Sequence, residues 1–308
     1  MTGPSRNGRA MSRRRMLTMG LGAAALLPPL AVAQTAPEPL IARPIPRSGE
    51  LLPTVGLGTA YVFDRADEAT AQSARQVVDA LIMGGGRLID TASSYGDAES
   101  VLGAVMASAG SRDKIFIATK LESPDAGELQ RSLARLKTAK LDLLQLHNVH
   151  NPNQSLARFR DWKTKGTCRY IGITSTFHGD FGAVEAVLRR EQPDFVQVDY
   201  SLADRTAERR LLPLASDTRT AVLTAIPFGR SRLFQAVRGK PLPEWAADFD
   251  AASWAQFFLK FLIGHPAVTA VIPGTSSAAH MADNLGAARG RLPDAAQRRR
   301  MVAFIEAL

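Results

Sequence analysis

Cysteine is almost missing from this 308-residue chain. Cys168 is the only one, so no intrachain disulfide can staple the fold. It lies between Gly166 and Tyr170 with no second ligand or catalytic-histidine pattern beside it, the setting of a structural thiol. Aromatics are scarce too, at 6%, against 45% apolar and 22% charged residues. That scarcity does not exclude a core: the balance is that of an ordinary globular protein, with length enough for one large α/β unit. No basic run is interleaved with aromatics at a motif spacing, so nucleic acid is not an expected partner. The uncharged N-terminal stretch, Leu17 to Val32, is short and broken by Pro28-Pro29, which argues against a stable membrane span.

Positive charge is concentrated at the N-terminus. Residues 1–33 carry Arg6, Arg9, Arg13, Arg14 and Arg15 and no acid, so without them the formal charge falls from +9 to +4. Ser12-Arg13-Arg14-Arg15-Met16-Leu17 precedes the uncharged stretch, and Ala31-Val32-Ala33 gives a small-residue cleavage pattern. This resembles a twin-arginine export signal. It implies a removable leader over 1–33, the twin-arginine machinery as a partner and a periplasmic mature protein; the alternative is a membrane anchor left by an uncleaved leader. That route carries folded proteins and serves where a cofactor is inserted before export. Gly20-Leu21-Gly22-Ala23-Ala24-Ala25 imitates a dinucleotide fingerprint, but no strand precedes it and no acid follows at the required distance.

Residues 34–50 read as a proline-rich linker and a short hairpin turning at Arg47-Ser48-Gly49-Glu50. From residue 51 to 308, apolar runs of four to seven residues alternate with amphipathic stretches of ten to sixteen, the pattern of parallel βαβ units. Eight strands are expected, near Thr54–Gly58, Leu88–Asp90, Ile115–Thr119, Leu141–Leu146, Tyr170–Thr174, Phe195–Val198, Ala221–Ile226 and Val268–Ile272. Helices are expected between them, from Thr70–Met83 to Ala279–Ala287, with an extra one over Pro293–Leu308. Eight such units predict an α/β (β/α)8 TIM barrel with an N-terminal hairpin and a C-terminal extra helix, its chemistry at the C-terminal strand ends.

Three expected strands end in reactive groups. Leu88-Ile89-Asp90 runs into Thr91-Ala92-Ser93-Ser94-Tyr95-Gly96, while the next two strands end in Thr119-Lys120 and Leu146-His147. Asp90, Tyr95, Lys120 and His147 in this order resemble the tetrad of the aldo-keto reductases. The resemblance runs from about Leu51 to Ala288 and implies hydride transfer between a nicotinamide nucleotide and an aldehyde, ketone or alcohol. Tyr95 would be the proton donor or acceptor, a weak acid near pKa 10 unless a neighbouring charge stabilises its phenolate. Lys120 would supply that charge, Asp90 would hold the ammonium, and His147 would bond the substrate oxygen or assist the proton relay. Oxidation of an alcohol fits the tetrad equally, and a non-catalytic nucleotide-binding accessory or sensory subunit is the rival from another class. Glu99 is expected to pin the following helix. His150 faces a loop, Asn151-Pro152-Asn153, which lacks the helix and third ligand of a metal site; no metal is expected.

The same resemblance implies the cofactor residues. Thr174 and Ser175 match the strand end holding the nicotinamide carboxamide, with Gln197 beside them. Pro227, Gly229, Arg230 and Arg232 match the loop around the pyrophosphate, where amides and guanidinium groups suit a diphosphate. Ala225 stands where many relatives carry a stacking aromatic. Gly274, Thr275, Ser276, His280, Asp283 and Asn284 match the closing motif, at a helix start suited to an anion. Ser277 and His280 replace the lysine and arginine that clasp a 2′-phosphate, so NADP(H) is favoured by family habit while NAD(H) stays open. Phe63, His150 and Tyr200 are expected to line the substrate pocket. Substrate identity is not legible.

Overall fold

The computed structural model describes residues 38–308. The expected leader, residues 1–33, lies outside them. The chain enters as an antiparallel hairpin, β1 (Ala42–Pro44) and β2 (Leu51–Pro53), turning where Gly49 adopts φ +75°.

Eight parallel strands then alternate with helices: β3 (Leu57–Gly58), α1 (Glu68–Met83), β4 (Leu88–Asp90), α2 (Ala98–Ala109), β5 (Phe116–Leu121), α3 (Ala126–Arg135), β6 (Leu141–Leu146) and α4 (Ala157–Thr164). There follow β7 (Cys168–Ser175), α5 (Phe181–Glu191), β8 (Phe195–Asp199), α6 (Leu211–Asp217), β9 (Ala221–Ala225), α7 (Arg232–Ala236), α8 (Trp254–Ile263), β10 (Val268–Val271), α9 (Ala278–Gly286) and α10 (Ala295–Glu306). Strands β3 to β10 pair in sequence order, each parallel to the next. Parallel bridges at Val55–Val271 and Gly58–Gly274 bring the two edges of the sheet together. The first barrel strand, β3, is shorter than the expected Thr54–Gly58 run, and α7 occupies a segment where no helix is expected.

The strands are apolar on both faces because both are covered. Every residue of β5 and β6 is buried, the mark of a parallel sheet wrapped in helices. Alternate residues point inward: Leu88, Phe116, Leu143, Tyr170 and Phe195 form an inner core with Ile45 and Leu52 of the hairpin. The opposite parity packs under the helices. On α1, Ala74, Val77, Val78 and Leu81 make one buried stripe, and the Asp67 carboxylate accepts the Thr70 N–H at 2.8 Å to start the helix. At the N-terminal strand ends, Glu50 of the hairpin joins Arg87, Arg169 and Tyr170, while Asp142 accepts from Arg112 and Arg169.

Cys168 is buried, and burial pushes its thiol up to about 12, so it packs as an inert side chain. Glu99, also buried, accepts from Thr119 Oγ1 at 2.6 Å and from Arg135 Nε at 2.8 Å, tying α2 to β5 and α3.

Candidate active site

At the opposite, C-terminal end of the strands lies a cavity of about 790 Å³. Asp90 comes to it at the end of β4, and Tyr95 follows in a tight turn. Gly96 makes that turn at φ +55°, and a Cβ there would stand 2.4 Å from the Asp64 carbonyl oxygen, so no other residue fits without movement. Lys120, on β5, is wholly buried. Its Nζ donates to Asp90 Oδ2 at 2.6 Å and to the Thr91 carbonyl at 2.7 Å, and it stands 4.8 Å from the centre of the Tyr95 ring. Gln145 and Gln197 reach the Asp90 carboxylate from β6 and β8, each at 3.4 Å, and Gln145 donates to Gln197 at 3.0 Å. His147, just past β6, meets Tyr95 edge-on with ring centres 5.8 Å apart. Asp90, Tyr95 and His147 thus border one cavity, and Lys120 lies buried behind them.

Their electrostatics depart from expectation at one point. Burial works against the Lys120 charge, but Asp90 and Tyr95 outweigh it and hold the ammonium above its ordinary range. Burial also acts on Tyr95 and lifts the phenol above its ordinary value; the Lys120 charge offsets only part of this. The expectation that lysine would leave the tyrosine more acidic is therefore corrected for this geometry: taking the phenolate out of water costs more than one cation returns. Burial first, then Lys120, lowers His147 despite the Glu122 carboxylate beside it.

Among the expected cofactor residues, Thr174, Gln197, Pro227, Arg230 and Gly274 border the cavity. The loop carrying Arg230 is bent hard: Ile226, Gly229, Arg230 and Ser231 all have positive φ, from +52° to +69°. Three of the four are not glycine, a strained arrangement that proteins keep mainly at functional sites. Neither the Arg230 nor the Ser231 amide donates to an acceptor among the described residues. Two free N–H groups with an exposed guanidinium suit an anionic ligand such as a diphosphate.

Other expected residues lie elsewhere. Ser175 gives its hydroxyl to Asp180 at 2.9 Å, and Thr176 borders the cavity instead. Arg232 turns back to the Gly229 carbonyl at 3.0 Å. Gly229, Thr275, Ser276, His280, Asp283 and Asn284 are not part of the cavity wall. The Ser277 hydroxyl caps α9 by accepting the His280 N–H, and both Asp283 carboxylate oxygens are engaged, by Ser253 at the N-cap of α8 and by Gln256 within it, each at 2.7 Å.

The pocket assignments of three residues are corrected. Phe63 is fully buried in the core under the helices. Tyr200 is fully buried too: its hydroxyl donates to Glu208 and accepts from Arg298 at 2.7 Å, tying β8 to α10. His150 is largely exposed and pairs with Asp180 at 2.6 Å, outside the cavity. Tyr61, Val62, Ser94, Asn148 and Phe228 line the wall in their place. Glu122, not among the expected site residues, also belongs here: its Oε1 lies 2.5 Å from His147 Nδ1. Strand parity could have flagged it, since residues 118, 120 and 122 alternate on one face as β5 ends.

A cavity at the C-terminal end of an eight-stranded parallel sheet, bordered by a phenol and an imidazole with a buried ammonium behind them, defines an α/β enzyme equipped for proton transfer. A sequence model of the aldo/keto reductase family matches residues 54–300, and the chain belongs to that family. It is 30% identical over 249 residues to the methylglyoxal reductase YeaE of Escherichia coli, an alignment covering 77% of this chain and 86% of that protein. An aldo-keto reductase of Mycolicibacterium smegmatis is 34% identical over 132 residues, 40% of this chain and 44% of that one. Among solved structures, an aldo-keto reductase from Klebsiella pneumoniae in complex with NADPH superposes with a TM-score of 0.70 at 26% identity, over 83% of this chain and 92% of that one.

Proposed function

We propose that this protein is an NADP(H)-dependent carbonyl oxidoreductase built on a (β/α)8 barrel. The observation that carries the reading is the Asp90–Lys120 pair, sealed from water and set against the Tyr95 ring at the cavity wall. NADP(H), when bound, supplies or accepts the hydride. Tyr95, a phenol whose ordinary value near 10 burial lifts further, is protonated at neutral pH and so can hydrogen-bond a carbonyl oxygen and give up its proton as charge develops there. The Lys120 ammonium then faces the phenolate that remains, in a site where charge is poorly screened by water. Asp90 keeps that ammonium in place.

Thr174 and Gln197 would hold the carboxamide, and the Arg230–Ser231 turn the diphosphate. The chemistry of these donors fits a dinucleotide, and the NADPH complex of the Klebsiella relative supports the choice of nucleotide. The wall offers no aromatic at Ala225, but Phe228 borders the cavity one turn on.

Steady-state turnover of small aldehydes and alcohols with NADPH and NADH tests the reading. Tyr95→Phe is expected to lower kcat by about 10²–10⁴-fold, the usual worth of a positioned acid or base, with an unchanged melting temperature. Loss below threefold would remove Tyr95 from the chemistry, and single oxidation of bound nucleotide without cycling would favour a sensory role.

Export rests on the arginine pair and cleavage pattern of residues 12–33, and no described helix is long and apolar enough to cross a membrane. Replacing Arg13 and Arg14 by lysine is expected to keep the protein in the cytoplasmic fraction; unaltered periplasmic recovery would discard the assignment.

A further inference from the structure

Away from the tetrad, three side chains from separate segments meet beside the end of β8. Asp199 is the last residue of that strand, and His178 stands in the short turn after β7. Asp204 closes a tight turn in which its backbone and that of Ser201 exchange hydrogen bonds at 2.9 and 3.1 Å. One ligand atom from each of the three lies within 4.8 Å of the others, and no second trio of histidine, cysteine or carboxylate groups gathers so closely among the described residues. Two of them are held by neighbours: Asp204 Oδ1 accepts the Thr206 N–H at 3.1 Å while Oδ2 faces His178 Nε2 at 3.1 Å, and the His178 ring packs on Phe181 with centres 5.0 Å apart. Asp199 differs, because its Oδ1 is shielded from solvent and accepts no hydrogen bond from the described residues. Buried carboxylate oxygens are nearly always paired, so an orphan at a cluster of ligating groups marks the place of a missing partner. The charged groups bearing on Asp199 are Asp204, which repels it, and His178, Arg230 and Arg232, which offset part of that repulsion.

The donor set selects the partner. One imidazole nitrogen with two carboxylate oxygens suits a divalent transition ion such as zinc, whereas magnesium and calcium take oxygen ligands alone. Ligand atoms about 2.0–2.2 Å from a tetrahedral zinc ion stand roughly 3.4 Å apart, so the trio has to draw in slightly, and exposed His178 is the member with room to move. Three protein ligands leave the fourth position to water. A cavity of about 700 Å³, lined by His178 and Asp204, opens the cluster to solvent and gives an ion its way in. We propose that His178, Asp199 and Asp204 form a binding site for one divalent transition-metal ion, separate from the tetrad cavity, which fastens the segment after β7 to the end of β8 and the turn beyond it. The ion gives Asp199 Oδ1 its partner and cancels the repulsion between the two carboxylates. None of the three residues borders the tetrad cavity, and the site stands independently of the oxidoreductase reading.

The test is calorimetric titration of the chelator-stripped full chain with zinc chloride, together with melting temperatures in zinc and in magnesium, for the wild type, Asp199→Asn, His178→Ala and the control His150→Ala. The wild type is expected to bind one zinc ion at this site and to melt higher when saturated, as a ligand held only by the folded state requires, while magnesium does neither. Asp199→Asn and His178→Ala are each expected to weaken that binding by about 100-fold or more, since even groups that merely support a metal ligand are worth 10–100-fold. His150→Ala is expected to change nothing. Absence of zinc binding by the wild type, or binding that survives both Asp199→Asn and His178→Ala, would overturn the proposal; an equal loss in His150→Ala would reveal an adventitious surface ion only, and overturn it too. His178 is exposed, so its replacement keeps the test decisive if Asp199→Asn does not fold. No readout here uses turnover, so failure of the oxidoreductase reading and failure of the metal site are told apart.

Discussion

At the N-terminal end of the sheet, Glu50, Arg87, Arg112, Asp142 and Arg169 neutralise one another through short hydrogen bonds, and the hairpin seals the inner core beneath them. At the C-terminal end, one buried pair, Asp90–Lys120, sits beside donors and acceptors that the fold leaves unused: His147 Nε2, the Arg230 and Ser231 amides and the Arg230 guanidinium. The two ends share the same strands. One spends its polar groups on the fold, and the other keeps them for a ligand. The contrast teaches that charge at a strand end is not itself a sign of chemistry; unspent hydrogen-bonding capacity next to a cavity is.

The comparison breaks most visibly by removing one partner at each end. Lys120→Met leaves Asp90 buried with only Gln145 and Gln197 at 3.4 Å, and is expected to lower stability by about 3–5 kcal/mol, the usual penalty for orphaning a buried charge. Arg87→Ala removes a partly exposed member of the Glu50 network and is expected to cost about 0–1 kcal/mol. Urea unfolding of both variants measures this, and equal losses would erase the distinction.

Acid and alkali should attack opposite ends. Burial works against the Glu50 charge, but hydrogen bonds from Tyr170, Arg87 and Arg169 outweigh it and hold the carboxyl below its ordinary range. Its stabilisation is therefore complete above the unfolded value of about 4.3 and is lost as pH falls through the lower folded one. Lys120 is raised, so its contribution is complete below about 10.4 and is lost as pH rises through the higher folded value. Melting temperatures of wild type and Glu50→Gln should converge as pH drops from 5 to about 3, and those of wild type and Lys120→Met should converge only above about pH 10.5. Parallel curves would refute the assignment.

A separate effect concerns ligand affinity without stability. Ser277 is already committed as a helix cap, whereas His280 is exposed beside it. His280→Arg is expected to lower the KM for NADPH by about tenfold, one charge-assisted hydrogen bond, while leaving the NADH value and the melting temperature unchanged. Equal changes for both nucleotides would place the 2′-phosphate elsewhere.

The alternation of apolar runs and amphipathic stretches made the βα order legible, because burial on both faces of a parallel strand leaves a continuous apolar run. Three strand-end groups were legible for a related reason: Asp90, Lys120 and His147 interrupt apolar runs at the point where strands emerge from the core. Phe63 and Tyr200 were misassigned because an aromatic near a strand end looks the same whether it turns toward the cavity or under a helix. Glu122 escaped notice because its meaning depends on an imidazole 25 residues away.

By itself, then, the sequence determined the eight βα units, their order and the chemical character of the strand ends, since these follow from local periodicity and residue type. Tertiary structure alone decided that burial would raise Tyr95 rather than let Lys120 lower it, that Ser175 and Asp283 would spend their polar atoms on neighbours, and that Glu122 would meet His147. Each of these depends on which groups lose water and which distant atoms replace it, and that is settled only when the strands close ranks.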